Sequence, residues 1–188
     1  MTSDALETLR ARLRDGDRDL LRALAARARF PRDPRPRWPD AETRLPPPPL
    51  AEILLALSPA GTAADPSACD AANRGLIRAL LGRQRLAREI ADAQAALRPD
   101  DFRAAMEAGG RRGSPGLGDG RAALDAGGLD RLLALLTDLP GELRTLDFVR
   151  ADAAESAPAL PGDLASLLWR ELLLPWTARS EAAHLLEP

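Results

Sequence analysis

Lysine and tyrosine are both absent from this 188-residue sequence, and all 26 basic residues are arginine. Aromatic residues make up only 3% of the chain, and β-branched residues are few. Scarcity of both classes disfavours sheet, and the abundance of Ala, Leu and Arg favours helix. The single cysteine, Cys69, has no partner for an internal disulfide. With one histidine in the chain there is also no Cys/His cluster to hold a metal, so Cys69 reads as a small buried hydrophobe. No run approaches the 18 apolar residues of a membrane span. The opening segment MTSDALETLRARLRDGD is charged from residue 4 and lacks the apolar stretch of a signal peptide. A net charge of −2 gives no reason to expect a nucleic-acid partner. These absences point to a cytoplasmic protein with neither nucleic-acid nor membrane partners, long enough for one compact domain spanning 1–188.

Apolar residues recur at helical spacing along most of the chain. A first helix is expected over 3–30, with Ser3 as N-cap and Leu6, Leu9, Leu13, Leu20, Leu24 and Ala28 on one stripe. That stripe skips a turn near Gly16 and Asp17. Pro31, Pro34, Pro36 and Pro39 end the helix, and 31–49 reads as a proline-rich connector in which Trp38 covers a core edge. A short apolar helix, Leu50–Leu57, is stopped by Ser58-Pro59-Ala60-Gly61. A long helix over 67–97 carries Leu76, Ile77, Leu80, Leu81, Leu86, Ala87 and Ile90 on one stripe, and Arg98-Pro99-Asp100 breaks it. Shorter helices follow over 101–108, 121–136, 139–154 and 164–186. Pro140 and Pro161 suit helix starts, and Pro175 is expected to kink the last helix. The segment GGRRGSPGLGDG, 109–120, lacks both a GKS/GKT ending and a preceding strand, so it reads as a glycine-rich loop and not a phosphate cradle.

Three spacings place polar side chains on common faces. Arg83 and Gln94 lie eleven residues apart, roughly 16 Å along one helix face, with Ala87, Ile90 and Ala91 leaving a hollow between them. Asp138 and Glu142 are four apart at a helix start, and Thr177 and Glu181 are four apart in the last helix. Such pairs are common on solvated helix faces, and spacing alone favours that bland reading.

Blocks of sequence carry more information than the spacings. Leu9-Arg10, Leu13, Asp19-Leu20-Leu21, Leu24, Arg27 and Arg29-Phe30-Pro31 resemble the opening helix of fungal and plant chorismate mutases. Residues 73–94, NRGLIRALLGRQRLAREIADAQ, resemble that family's long central helix, and Asp100-Asp101-Phe102 its next short one. Ala134-Leu135-Leu136-Thr137-Asp138 with Glu142 resembles the following segment. The run from Leu168 to Thr177, LWRELLLPWT, with Glu181 and His184-Leu185-Leu186, resembles the C-terminal helix and is the most specific block.

The resemblance implies an all-α helical bundle of about six to seven helices and a cofactor-free isomerase that converts chorismate to prephenate. Such an enzyme restrains a flexible dianion in its reactive conformer and stabilises charge at the breaking ether bond. It implies that Arg10 and Arg83 bind the two carboxylates, and that Thr177 and Asp138 position the ligand. Glu142 would accept from the substrate hydroxyl, and Glu181, as the neutral acid, would donate to the ether oxygen. The implied partners are this small substrate and a second copy of the chain in a homodimer. Arg27 has no implied role and reads as surface or scaffold, whereas His184, Trp169 and Trp176 read as packing, with Trp176 a candidate roof over the pocket.

Two departures stand out. Gln94 occupies the place of a family lysine. A neutral donor is worth about 1 kcal/mol against about 1.5–3 for a charged one, a difference of roughly tenfold in rate. Only some twenty residues separate Pro31 from Leu50, where the family carries helices of its effector sites, so a shortened form without control by Trp or Tyr is expected. The alternative is a weak or silent ligand-binding or scaffold protein on the same fold; an enzyme acting on a related dianion such as isochorismate is a third reading.

Overall fold

The computed structural model describes residues 3–31, 49–58, 63–110, 126–157 and 160–186. The expectations for Trp38, for most of the 31–49 connector and for most of the 109–120 loop lie outside these residues. Among the described residues the chain is entirely helical: α1 (Ser3–Ala28), α2 (Leu50–Leu57), α3 (Pro66–Leu97), α4 (Pro99–Gly110), α5 (Ala126–Leu136), α6 (Leu139–Ser156), α7 (Gly162–Leu168) and α8 (Leu174–Leu185). A π-helical turn, Trp169–Leu173, joins α7 to α8 without a break, so the described residues form seven rods. Among the described residues, no helix is long and apolar enough to cross a membrane.

Local chemistry sets the helix ends. Asp65 caps α3, which starts one residue before expectation: its side chain accepts from the Ala68 amide, and Pro66 fills the first turn, where no N–H is needed. Asp138 caps α6 in the same way through the Gly141 amide. Ser3 is the first helical residue of α1 and not its cap. The disturbance expected at Pro175 is realised one turn earlier, as the π turn. Proline lacks an N–H and crowds the carbonyl four residues back; widening the helix there lets Leu174 N–H bond to Trp169 O instead.

The long α3 is the spine, packed against α1 along one side and α8 along another, while α6 leans on α1. Leu20, Leu21 and Leu24 of α1 meet Ile53 and Leu54 of α2, Leu76 and Leu80 of α3, Val149 of α6 and Trp169, Leu173 and Trp176 in the main core. A second apolar cluster joins Ala91, Phe102, Leu132, Leu136 and Ala182. Between them the interior turns polar: Asp17, Arg83, Gln84, Gln94, Thr177, Ser180 and Glu181 are all buried. Cys69 is buried and unbridged.

For Arg27 the structure selects the scaffold reading over the surface one, and for His184 the packing expectation is corrected. Arg27 is fully buried, donating to Asn73 Oδ1 (2.6 Å), Ser58 Oγ (3.3 Å), Phe30 O (2.9 Å) and Pro31 O (3.1 Å). It is a scaffold residue that ties the end of α1 to α2 and α3. Arg27→Met should therefore cost roughly 2–4 kcal/mol in urea unfolding, because it strands buried acceptors. His184 is a polar bridge and not simply packing: Arg88 Nε donates to its Nδ1 at 3.2 Å and its Nε2 lies 2.9 Å from Asp92 Oδ1.

Candidate active site

Five helices, α1, α3, α5, α6 and α8, contribute to one cavity of about 120 Å³, and most of the polar stretch of the interior lines it. Arg10, Arg83, Gln94, Asp138, Glu142, Thr177 and Glu181, the seven residues singled out from the sequence, all face it. From α1 come Glu7, Arg10, Leu13, Arg14 and Asp17, successive positions of one helix face. Ile90 stands between Arg83 and Gln94 on α3, as the spacing required.

Arg83 is the floor of the cavity, only 2% exposed. Its Nε donates to Thr177 Oγ1 at 3.1 Å, and its Nη1 makes a short ion pair with Asp17 Oδ1. Thr177 passes its own proton back to Leu173 O at 2.6 Å, so its oxygen is aimed at the guanidinium. Burial lowers the Arg83 pKa to about 10, with Glu181 pulling the other way, and the group stays charged at neutral pH. Asp17 is the functional residue missed in the sequence. It fills the gap in the apolar stripe of α1, seven residues from Arg10 and thus on the same face, and its second oxygen has no partner among the described residues.

Glu181 is buried as well, and desolvation pushes its pKa up to about 8, with Arg83 opposing the rise and Glu142 adding to it. At neutral pH it is a proton donor facing the cavity. Glu142 is pushed above the usual carboxylate value by its partial burial and by neighbouring Asp138. Gln94 is 5% exposed, and its Oε1 has no partner among the described residues. An unpaired buried amide oxygen costs about 1–3 kcal/mol, which a ligand hydroxyl could recover.

Arg10 sits higher in the cavity, held by Glu7 at 2.7 Å and Asp138 at 2.9 Å. Asp138 thus has two tasks, capping α6 and fixing Arg10. Its carboxylate lies directly over Gly141, where an added Cβ would meet Asp138 Oδ2 at 2.5 Å. Gly141→Ala should displace Asp138, lower the melting temperature by a few degrees for a lost cap worth about 1 kcal/mol, and weaken ligand binding through the freed Arg10. Trp176 does not roof the cavity; it is 1% exposed within the main core.

The helical bundle has a counterpart among solved structures. The chain has the chorismate mutase fold. The crystal structure of the chloroplast chorismate mutase from Zea mays matches it with a TM-score of 0.70 over 96% of this chain and 94% of that chain, at 18% sequence identity. No protein-family model matches the sequence, and no curated protein matches it either. The likeness is therefore one of architecture, an all-helical fold.

Proposed function

We propose that this protein is a chorismate mutase, an intramolecular transferase that rearranges chorismate to prephenate in aromatic amino-acid biosynthesis. The observation that carries the reading is the pairing, in one cavity, of a buried charged Arg83 with a buried Glu181 kept protonated to about pH 8. A dicarboxylate ether needs both: a cation for a carboxylate and a neutral donor for the ether oxygen.

The reaction breaks the ether C–O bond as a new C–C bond forms within the same molecule, and no proton changes hands. Arg83 offers its remaining N–H groups to one carboxylate in a planar fork, with Thr177 fixing the plane of the guanidinium. Glu181 holds its proton toward the oxygen that gains negative charge, and the Gln94 amide adds a second, neutral donor. Glu142 accepts from the ring hydroxyl. Because these dipoles are set before the substrate arrives, the cavity restrains the folded conformer without reorganising.

The runner-up is a ligand-binding protein on the same fold without turnover. It is favoured by the neutral Gln94 and by the carboxylates that already engage Arg10 and Arg83. Purified protein mixed with chorismate separates the two: loss of chorismate ultraviolet absorbance with prephenate appearing supports the enzyme, and binding without loss supports the alternative. The shortened-form reading adds that millimolar Trp or Tyr leaves the rate unchanged; a clear response to either would overturn that part.

A further inference from the structure

Glu181 stands one turn from the end of α8, which runs Leu174–Leu185. Carbonyls in the last turn of a helix have no following turn to bond them, and such ends open readily. A side chain that must present a proton at a fixed point is badly placed there unless something else holds it. Polar rungs tie α8 to α3 along this stretch. Arg83 Nε donates to Thr177 Oγ1 at 3.1 Å, and Gln84 Nε2 donates to Ser180 Oγ at 3.4 Å. Both precede Glu181. The next rung is His184, three residues beyond it.

The His184 ring lies between two α3 side chains one turn apart. Arg88 Nε donates to Nδ1 at 3.2 Å, and Nε2 stands 2.9 Å from Asp92 Oδ1. An arginine can only donate, so Nδ1 is the accepting nitrogen, and Nε2 carries the proton that Asp92 receives. This is the hydrogen-bond pattern of the uncharged ring. With both nitrogens engaged, the plane of the ring is fixed as well as its place. Residues 181 and 184 project about 60° apart around a helix. The turn that lays His184 on Arg88 and Asp92 therefore also aims Glu181 into the cavity beside Ile90 and Gln94. Ala182, between them, packs with Ala91 in the second apolar cluster.

We propose that His184 is a positioning residue for Glu181: gripped by Arg88 and Asp92, it holds the last turn of α8 on α3, keeps the carboxyl aimed into the cavity and keeps water from reaching it along this edge. This role rests on the reading of Glu181 as the proton donor of the site and adds what holds the donor in place. The Glu181 pKa of about 8 is raised first by burial, so it reports directly on that shielding. The charged groups facing the same cavity are Arg83 on α3, Glu7, Arg10, Arg14 and Asp17 on α1, and Asp138, Glu142 and Arg144 on α6. Asp130 and Arg131 of α5 and Arg170 and Glu171 of the π turn are exposed and outside it. Substitution at the His184 rung leaves all of these in place.

The test follows the Glu181 carboxyl by NMR of protein labelled at its glutamate carboxyls, with the signal assigned by its loss in E181Q, alongside chorismate kinetics. H184F keeps an aromatic ring and removes both hydrogen bonds. H184Q can still accept from Arg88 and donate to Asp92. R88A/D92A removes both partners with no net change of charge, and alanine suits a helix, so it carries the test where H184F fails to fold. The parent should titrate near pH 8. In H184F and in R88A/D92A the midpoint should fall by about one pH unit as water reaches the carboxyl. Their kcat should fall roughly tenfold for a misaimed donor. KM should stay within about twofold, since the donor acts on the breaking bond and not on the carboxylates. H184Q should restore most of both losses. A midpoint near 8, or a kcat within twofold of the parent, in both H184F and R88A/D92A overturns the proposal, even where the melting temperature drops, because His184 would then brace α8 without acting on Glu181. A midpoint that falls as far in H184Q as in H184F overturns it too, since the polar grip would not be the cause. A parent whose Glu181 titrates near 4.5 overturns the buried donor and this role with it. A parent that titrates near 8 and leaves chorismate unconverted overturns the proposed reaction alone, and the midpoints then decide the role of His184.

Discussion

Replacing Glu181 with glutamine should remove the alkaline decline of activity and stabilise the protein above neutral pH. In the parent, Glu181 donates only as the neutral acid, and its pKa near 8 means that it is mostly protonated at pH 7 and mostly ionised at pH 9. Activity should be highest in mild acid to neutral solution and fall roughly tenfold between pH 7 and 9, as the neutral fraction falls. Glutamine donates at every pH, so E181Q should run flat across that interval. Stability follows the same proton. The folded pKa is raised above the free value of 4.5 because burial disfavours the charge, so stability from this group is full below about 4.5 and is lost as pH rises through 8. At pH 9 the parent buries a carboxylate that E181Q does not have, a difference on the order of 4 kcal/mol. Melting curves should then show E181Q roughly 10 °C above the parent at pH 9, with the gap closing toward pH 4. If the variant keeps the parent's alkaline slope in the rate profile, Glu181 is not the titrating donor.

Removing Arg83 should abolish ligand binding and also damage the fold, and the two effects can be separated. Arg83 and Asp17 are each 1% exposed at the side chain and form a buried ion pair. Arg83→Met leaves the Asp17 carboxylate in the interior with no counter-charge, at a cost of about 3–5 kcal/mol. The double variant D17N/R83M removes both charges, and most of that stability should return, since Thr177 keeps its bond to Leu173 O. Binding should not return. The floor of the cavity would have no cation, and affinity for a dicarboxylate should fall at least a hundredfold. Urea unfolding of the two variants reads the first effect and calorimetry reads the second. A double variant as unstable as R83M would mean that the ion pair is not what holds α1 to α3 at this point.

Much of the fold was legible because leucine and alanine recur at helical spacing and prolines mark the interruptions. The helix bounds on α2, α3 and α6 shift by at most two residues from expectation for this reason. What escaped was polar. Asp17 sits where the apolar stripe of α1 lapses, and a lapse reads as a surface break unless its partner is known; that partner, Arg83, is 66 residues away. Arg27 escaped for the same reason, since its acceptors include Asn73 on α3 and main-chain carbonyls that no pattern announces. The π turn was foreshadowed only as a proline kink, because proline signals that helix bonding must yield but not how. Gly141 carries no signal in the sequence, since its need comes from the Asp138 carboxylate folded over it. The seven candidate site residues were legible through the resemblance of whole sequence blocks. Spacing alone would have left every one of them on a solvated face.

The measurement that bears most directly on the account is the rate of chorismate consumption by the parent beside D17N/R83M, with each shown by circular dichroism and melting to be folded. The account predicts that the parent converts chorismate to an equal amount of prephenate, with the absorbance of chorismate falling steadily, while the folded double variant leaves it at the uncatalysed rate. A folded parent with no turnover, or a double variant as fast as the parent, would contradict the claim that the Arg83–Glu181 cavity is where the rearrangement occurs.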